Sequence, residues 1–235
     1  SEGGRVFSDD YQQLLRTREL PPAYVSLDPV RNDLAVETTG RSPLATFWET
    51  VAMSEANEAY FANYMRTHNI DPADVYTEGD RRLSEKIDLL QQNPHIKFAD
   101  FGTRRRFSLA WHRHVVERLS NECPENFLGT SNVALANTLG LEPIGTFAHE
   151  MPMVYAGLAD ARGQDIRASH NRLMQDWYDH YGKDLSIALT DTFGSEFFFD
   201  DFTAEQAAAW RGARQDSGSP IEWGDDYIHY NERKG

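Results

Sequence analysis

Three consecutive arginines, Arg104-Arg105-Arg106, follow Gly102-Thr103 directly after the apolar run that ends at Phe101. Guanidinium forks match phosphate and carboxylate bidentately, so this cluster can cradle a small anion. A solvated basic turn balanced by nearby acids accounts for it equally. Three neighbours cannot all face one ligand, so one or two of them are expected to be structural. Phe101 is either a stacking surface for a planar heteroaromatic ring or an ordinary core aromatic. Gly129-Thr130-Ser131-Asn132 opens a helix whose first N–H groups and hydroxyls can take an anion or an amide, and plain N-capping explains the same residues. His149, in Gly145-Thr-Phe-Ala-His-Glu150, offers a neutral imidazole nitrogen as a nucleophile toward phosphorus or as a general base. The alternative is a hydrogen-bonded core histidine. No His-x-x-x-His or Glu-x-x-His spacing accompanies it, so a metal role would need distant partners. Asp191 and Asp216 each end an apolar run, where a carboxylate can bind ribose hydroxyls, hold Mg²⁺ through water, orient a histidine, or simply cap the next helix. Arg214 and Asp216 alternate along their strand and so point the same way, toward one ligand, with Ser217 beside them.

The elements that must position these groups share one design. Five stretches, beginning at His95, Asn126, Pro143, Leu185 and Gly212, each run from apolar residues into a glycine or polar cluster and then into a helical pattern. Strand tips bearing Asp, Arg, His, Ser and Asn are where α/β folds place their chemistry. Strands separated by helices favour parallel pairing and hence an α/β sheet or barrel. Five tips are too few to close an eight-stranded barrel. The first 45 residues differ, with short β-like runs at Ala23-Tyr-Val-Ser-Leu and Leu34-Ala-Val-Glu-Thr-Thr between Pro, Asp and Gly breakers. Helices are expected around Trp48–Tyr60 and around Leu83–Leu90, the second ended by Asn93-Pro94. Others are expected after Ser108 and Asn132, before Gly182, and after the capping box Thr203-Ala-Glu-Gln206.

Composition narrows the classes. A formal net charge of −14 over 235 residues repels nucleic acid at long range, so no nucleic-acid partner is expected. The longest apolar-looking run, Met151 to Ala159, is far short of the roughly 20 residues that cross a bilayer, so no membrane partner is expected either. Cys123 stands alone, which precludes an intrachain disulfide and suits a reducing cytoplasm. The Ser1-Glu-Gly-Gly opening lacks the features of a signal peptide. The ligand these features describe is small, anionic and phosphorylated, with hydroxyls or a ring.

Asp100-Phe-Gly-Thr-Arg-Arg-Arg-Phe-Ser108, Gly129-Thr-Ser-Asn132, Gly145-Thr-Phe-Ala-His-Glu150, Leu189-Thr-Asp-Thr192 and Arg214-Gln-Asp-Ser-Gly218, followed by Pro220 and Trp223-Gly224, together resemble the nicotinate phosphoribosyltransferase family. The resemblance runs in order from about Phe7 to the last residue. It implies transfer of a phosphoribosyl group from phosphoribosyl pyrophosphate to nicotinate, with ATP as co-substrate, forming nicotinate mononucleotide in NAD biosynthesis. It implies that His149 is transiently phosphorylated by ATP, as a phosphohistidine, and that Phe101 stacks on the pyridine ring. Arg104, Thr130, Ser131 and Asn132 would lie near the ring and its carboxylate. Asp191, Arg214, Asp216 and Ser217 would line the ribose–pyrophosphate site, where Mg²⁺ is expected, with His149, Asp191 and Asp216 as the catalytic group. The implied fold is an irregular (β/α) barrel of the type II phosphoribosyltransferase kind, incomplete here, in a cytoplasmic homodimer. Residues 1–45 would be a remnant of a small N-terminal α+β domain and residues 46–235 the partial barrel. Family members are longer at both ends, so the chain is expected to be the middle of such an enzyme, as a fragment or a shortened relative. Two other readings are a non-catalytic binding or assembly subunit that keeps the ring pocket, and a related phosphoribosyltransferase acting on quinolinate or nicotinamide.

Overall fold

A computed structural model describes residues 8–28, 30–31 and 33–234. The Ser1-Glu-Gly-Gly opening, and with it the expected lack of a signal peptide, lies outside the described residues, as do Phe7 and Gly235 at the limits of the resemblance. The chain divides into two compact units, Ser1–Ile144 and Gly145–Gly235. This boundary differs from the one expected after residue 45.

In the first unit, helix α1 (Asp9–Thr17) precedes an antiparallel hairpin of β1 (Ala23–Asp28) and β2 (Asp33–Thr38), in register from Ala23↔Thr38 to Asp28↔Asp33. Both strands fall in the expected β-like runs between Pro, Asp and Gly breakers. A single turn, α2 (Ser42–Ala45), leads into α3 (Phe47–His68), which ends where Asn69 turns left-handed at φ 54°. Helix α4 (Pro72–Gln91) starts with the Asp71 side chain accepting from the Ala73 N–H and with proline at the first turn, where the missing N–H costs nothing. Helix α5 (Leu109–Glu122) is capped by Ser108, as expected, through the Trp111 N–H. Leu83 and Ile87 of α4 bury against Val116 and Leu119 of α5, with Cys123, Phe127 and Leu135 completing the cluster. Each fully buried branched side chain of this kind contributes about 1.5–3 kcal/mol.

That core seats two short parallel strands, β3 (Phe98–Asp100) and β4 (Phe127–Thr130), paired Phe98↔Phe127 and Asp100↔Thr130. Two steps along β3 match three along β4, so β4 bulges. Gly129 lies within that step at φ +144°, and a Cβ there would sit 2.2 Å from the Glu142 carbonyl oxygen. Helix α6 (Val133–Leu139) follows, capped by Asn132 and stopped by left-handed Gly140.

The third expected strand is corrected by the structure. The stretch from Pro143 forms only a one-residue parallel bridge to Thr130, and coil then runs to helix α7 (Glu150–Ala161). A parallel bridge uses the N–H and C=O of the flanking residues, Ile144 and Glu142, so Pro143 can occupy it without a donor. Continuing the strand would need a ladder partner beyond Thr130, where the chain turns into α6.

In the second unit, α7 packs on α8 (Ala168–Tyr181), which Gly182 closes. Strand β5 (Ile187–Leu189) runs parallel to β6 (Gly212–Arg214) in register Ile187↔Gly212 to Leu189↔Arg214. Parallel strands need a crossover, supplied here by α9 (Ser195–Asp201) and α10 (Ala204–Ala209), the latter opened by the expected Thr203/Gln206 capping box. Helix α11 (Pro220–Lys234) ends the unit. Its core gathers Phe147, Leu173, Met174, Leu189, Phe198, Phe202, Trp210 and Tyr230. The expected α/β class holds, as a mixed and mostly helical chain whose described strands pair two by two. Among the described residues no helix is long and apolar enough to cross a membrane.

Candidate active site

His149 occupies the N-cap position of α7 in a helical conformation, and its side chain makes no capping bond. The imidazole is therefore left to face the β5 and β6 tips. Nδ1 lies 3.0 Å from Thr192 Oγ1 and Nε2 lies 3.1 Å from Asp216 Oδ2, with Asp191 Oδ1 at 3.8 Å. A carboxylate only accepts, so the hydrogen bonds drawn at rest are Nε2–H donating to Asp216 and the Thr192 hydroxyl donating to Nδ1. Thr192 can also accept, which permits the opposite tautomer.

Asp191 is one-tenth exposed, and its Oδ2 accepts a short hydrogen bond from Ser217 Oγ. It does not cap the next helix, whose N-cap is Gly194. Arg214 reaches Asp216 Oδ1 at 3.6 Å and donates to the Phe147 carbonyl at 3.5 Å, so the two alternating residues of β6 and its tip do share one side. Thr190, fully buried, receives the Trp223 Nε1–H at 3.1 Å and itself donates to the Arg214 carbonyl at 3.2 Å, tying α11 to both strand tips. The second unit thus brings together His149, Asp191, Arg214, Asp216 and Ser217. Thr192 and the Thr190–Trp223 pair are additions that sequence reasoning missed, although Leu189-Thr-Asp-Thr192 carried the hydroxyls in plain sight.

The first unit gathers the remaining predicted residues around Asp100. Asp100 Oδ2 accepts from His112 Nε2 at 2.7 Å and Thr130 Oγ1 at 2.6 Å, while Oδ1 accepts from the Gly102 N–H at 2.9 Å. Its main-chain carbonyl accepts from the Ser131 N–H at 2.8 Å. One residue therefore fixes the turns after both β3 and β4. Burial pushes the Asp100 carboxyl upward, but the hydrogen bonds from His112, Thr130 and Gly102 outweigh it and hold the group below its ordinary value. Thr130 is fully buried with its hydroxyl spent on Asp100, so the structure places it as a support of the turn. Asn132 caps α6 through Oδ1 and donates from Nδ2 to Thr103 Oγ1 at 3.2 Å, joining the two turns.

Of the three arginines, Arg106 is largely buried against Glu55 and Glu58 and is structural, as expected for at least one. Arg104, half-exposed, pairs with Glu49, and its carbonyl accepts from Asn57 of α3 at 3.0 Å. Arg105 is exposed. Phe101 is 47% exposed at the turn, which sets aside the core alternative. The Asp100–His112 pair, twelve positions apart with His112 on α5, carried no spacing signal.

Known proteins resemble this chain over nearly its whole length. The model of the nicotinate phosphoribosyltransferase (NAPRTase) family matches residues 96–233. The nicotinate phosphoribosyltransferase of Chromobacterium violaceum is 38% identical over 240 residues, covering 98% of this chain and 57% of that protein. The one from Acinetobacter baumannii is 37% identical over 242 residues with the same coverage. The crystal structure of nicotinate phosphoribosyltransferase from Vibrio cholerae superposes with a TM-score of 0.81 at 30% identity, over 98% of this chain and 54% of that one. That from Porphyromonas gingivalis gives 0.81 at 28%, over 97% and 55%. The chain spans a little over half the length of these relatives.

Proposed function

Because the chain belongs to the nicotinate phosphoribosyltransferase family, we propose that it serves phosphoribosyl transfer from phosphoribosyl pyrophosphate to nicotinate. The products are nicotinate mononucleotide and pyrophosphate, and ATP hydrolysis is coupled to the reaction in NAD biosynthesis. The observation that carries this reading is His149, free of any capping duty and set between Thr192 on one ring nitrogen and two carboxylates on the other. With Nδ1–H turned to Thr192, Nε2 presents its lone pair to the γ-phosphorus of ATP. The N–P bond forms as the bond to the ADP oxygen breaks, and later hydrolysis returns the imidazole.

Asp191 and Asp216 fit Mg²⁺, a hard ion that takes one or two carboxylates and otherwise water or phosphate oxygens. When bound, that ion supplies neutralisation of the leaving pyrophosphate. Arg214 adds a fixed positive charge beside Asp216, where negative charge grows as the C1′–O bond breaks. Ser217 orients Asp191 through its hydroxyl. In the first unit, exposed Phe101 offers a face for the pyridine ring, and Arg104 with the Ser131–Asn132 turn offers donors for the carboxylate. The reading includes the type II phosphoribosyltransferase barrel and a cytoplasmic homodimer.

The test is nicotinate mononucleotide formation with and without ATP, in the wild type and in His149→Ala. Loss of ATP stimulation in the variant, with a slow ATP-independent rate remaining, is expected. Undiminished coupling would remove His149 from its role. Nicotinamide should react far more slowly than nicotinate, because a site with donors aimed at a carboxylate rejects the neutral amide.

A further inference from the structure

The three side chains at the tips of the second unit have a ligand chemistry that Mg²⁺ does not need. His149 Nε2 faces Asp216 Oδ2 at 3.1 Å and Asp191 Oδ1 at 3.8 Å, and one ligand atom from each residue lies within 4.8 Å of the others. Asp191 is nine-tenths buried, and its Oδ1 has no hydrogen-bond partner. A buried acceptor left without a donor costs on the order of 1–3 kcal/mol, and a cation between Asp191 and the imidazole would satisfy it. Ligand atoms about 2.0–2.2 Å from one tetrahedral ion lie roughly 3.4 Å apart, a spacing that the 3.1 and 3.8 Å separations bracket.

We propose that His149, Asp191 and Asp216 form a site for a borderline-soft divalent ion of the Zn²⁺ class, and that its occupancy withdraws His149 Nε2 from phosphoryl transfer. One imidazole and two carboxylates with an open fourth position are a ligand set that suits Zn²⁺ or Co²⁺. Mg²⁺ gains little from the nitrogen. Thr192 completes the arrangement. Once the ion takes Nε2, the ring proton sits on Nδ1 and is donated to Thr192 Oγ1, the outer-shell hydrogen bond that fixes a ligating histidine. The binding clause stands on geometry alone, whereas the inhibition clause rests on the phosphoryl-acceptor role proposed for His149.

Co²⁺ titration followed by its visible ligand-field absorption reads the site directly, with Zn²⁺ and then Mg²⁺ as competitors. Wild-type protein should take up a single Co²⁺ in a low-coordinate site, released by Zn²⁺ and retained against about a hundredfold excess of Mg²⁺. Asp191→Asn and Asp216→Asn, checked for native fold by circular dichroism, should each weaken binding about tenfold or more; His149→Ala should abolish the band. Equal Co²⁺ binding in wild type and the Asn variants would overturn the proposal. ATP-dependent labelling of His149, in a second experiment, should fall with added Zn²⁺ over the range that displaces Co²⁺. Labelling that is indifferent to a bound ion refutes the inhibition clause. Absence of labelling without any ion, alongside intact Co²⁺ binding, instead refutes the proposed function and leaves the metal site standing.

Discussion

Asp100→Asn replaces the acceptor-only group on which three donors converge: His112 Nε2, Thr130 Oγ1 and the Gly102 N–H. The carboxamide keeps the shape but has one acceptor oxygen and an NH₂ that can only donate. If its oxygen stays toward His112 and Thr130, the NH₂ meets the Gly102 N–H; if it flips, two donors lose their acceptor. One unsatisfied buried donor costs about 1–3 kcal/mol, and losing charge assistance in the His112 bond adds about 1 kcal/mol, for roughly 2–4 kcal/mol in all. At about 2–4 °C per kcal/mol for a chain of this size, Tm should fall by roughly 4–16 °C. Urea unfolding followed by tryptophan fluorescence at pH 7 measures the difference directly. Its pH dependence is a second check. The folded carboxyl titrates below its ordinary value, so its stabilisation is full above the unfolded value near pH 4 and is lost as pH falls through the folded one. The gap between wild type and variant should therefore narrow in acid below about pH 4. A difference under about 0.5 kcal/mol at pH 7, or one that stays constant into acid, would refute the claim that Asp100 organises both turns.

Gly129→Ala should cost about 3 kcal/mol or more, since φ +144° is strained for any side chain and the new Cβ would meet the Glu142 carbonyl at 2.2 Å; a thermal melt that matches wild type would contradict the bulge. His170 is held below its ordinary pKa because burial outweighs the Asp201 carboxylate beside it. Its stabilisation is thus present above about pH 6.5 and lost as pH falls through the lower folded value, so His170→Gln should flatten that part of the stability–pH curve. Trp223→Phe removes the indole donor to Thr190 and should cost about 1 kcal/mol, together with a drop in nicotinate mononucleotide formation if the β5 and β6 tips lose their alignment. Phe101→Ala should raise KM for nicotinate without altering Co²⁺ binding at His149, because Phe101 is none of the three ligand residues.

The local elements were legible because they depend on neighbours in the chain. Ser108, Asn132 and Thr203 cap the helices they precede, and Gly140 and Gly182 close helices because each must adopt a positive φ. Strands β1 and β2 fall in the two β-like runs between Pro, Asp and Gly breakers, whereas their antiparallel pairing came only with the structure. Family membership was legible too, since five polar tips in order form a far more specific pattern than any one of them. The stretch from Pro143 misled for the same local reason: an apolar start before a glycine reads as a strand, while the number of ladder partners available to it is a tertiary fact. The pairings at the tips were equally out of reach. His149 meets Asp216 and Asp191 only because β5 and β6 lie parallel and in register, which places residues far apart in the chain within 4 Å. Asp100 finds His112 and Thr130 only after α5 has packed and β4 has bulged at Gly129. Sequence by itself determined the helix ends and, the stretch from Pro143 excepted, the strand ends, because capping, turn geometry and periodicity act over a few residues. Tertiary structure alone decided which of those ends share protons and charge, because strand register and helix packing set distances that spacing along the chain does not encode.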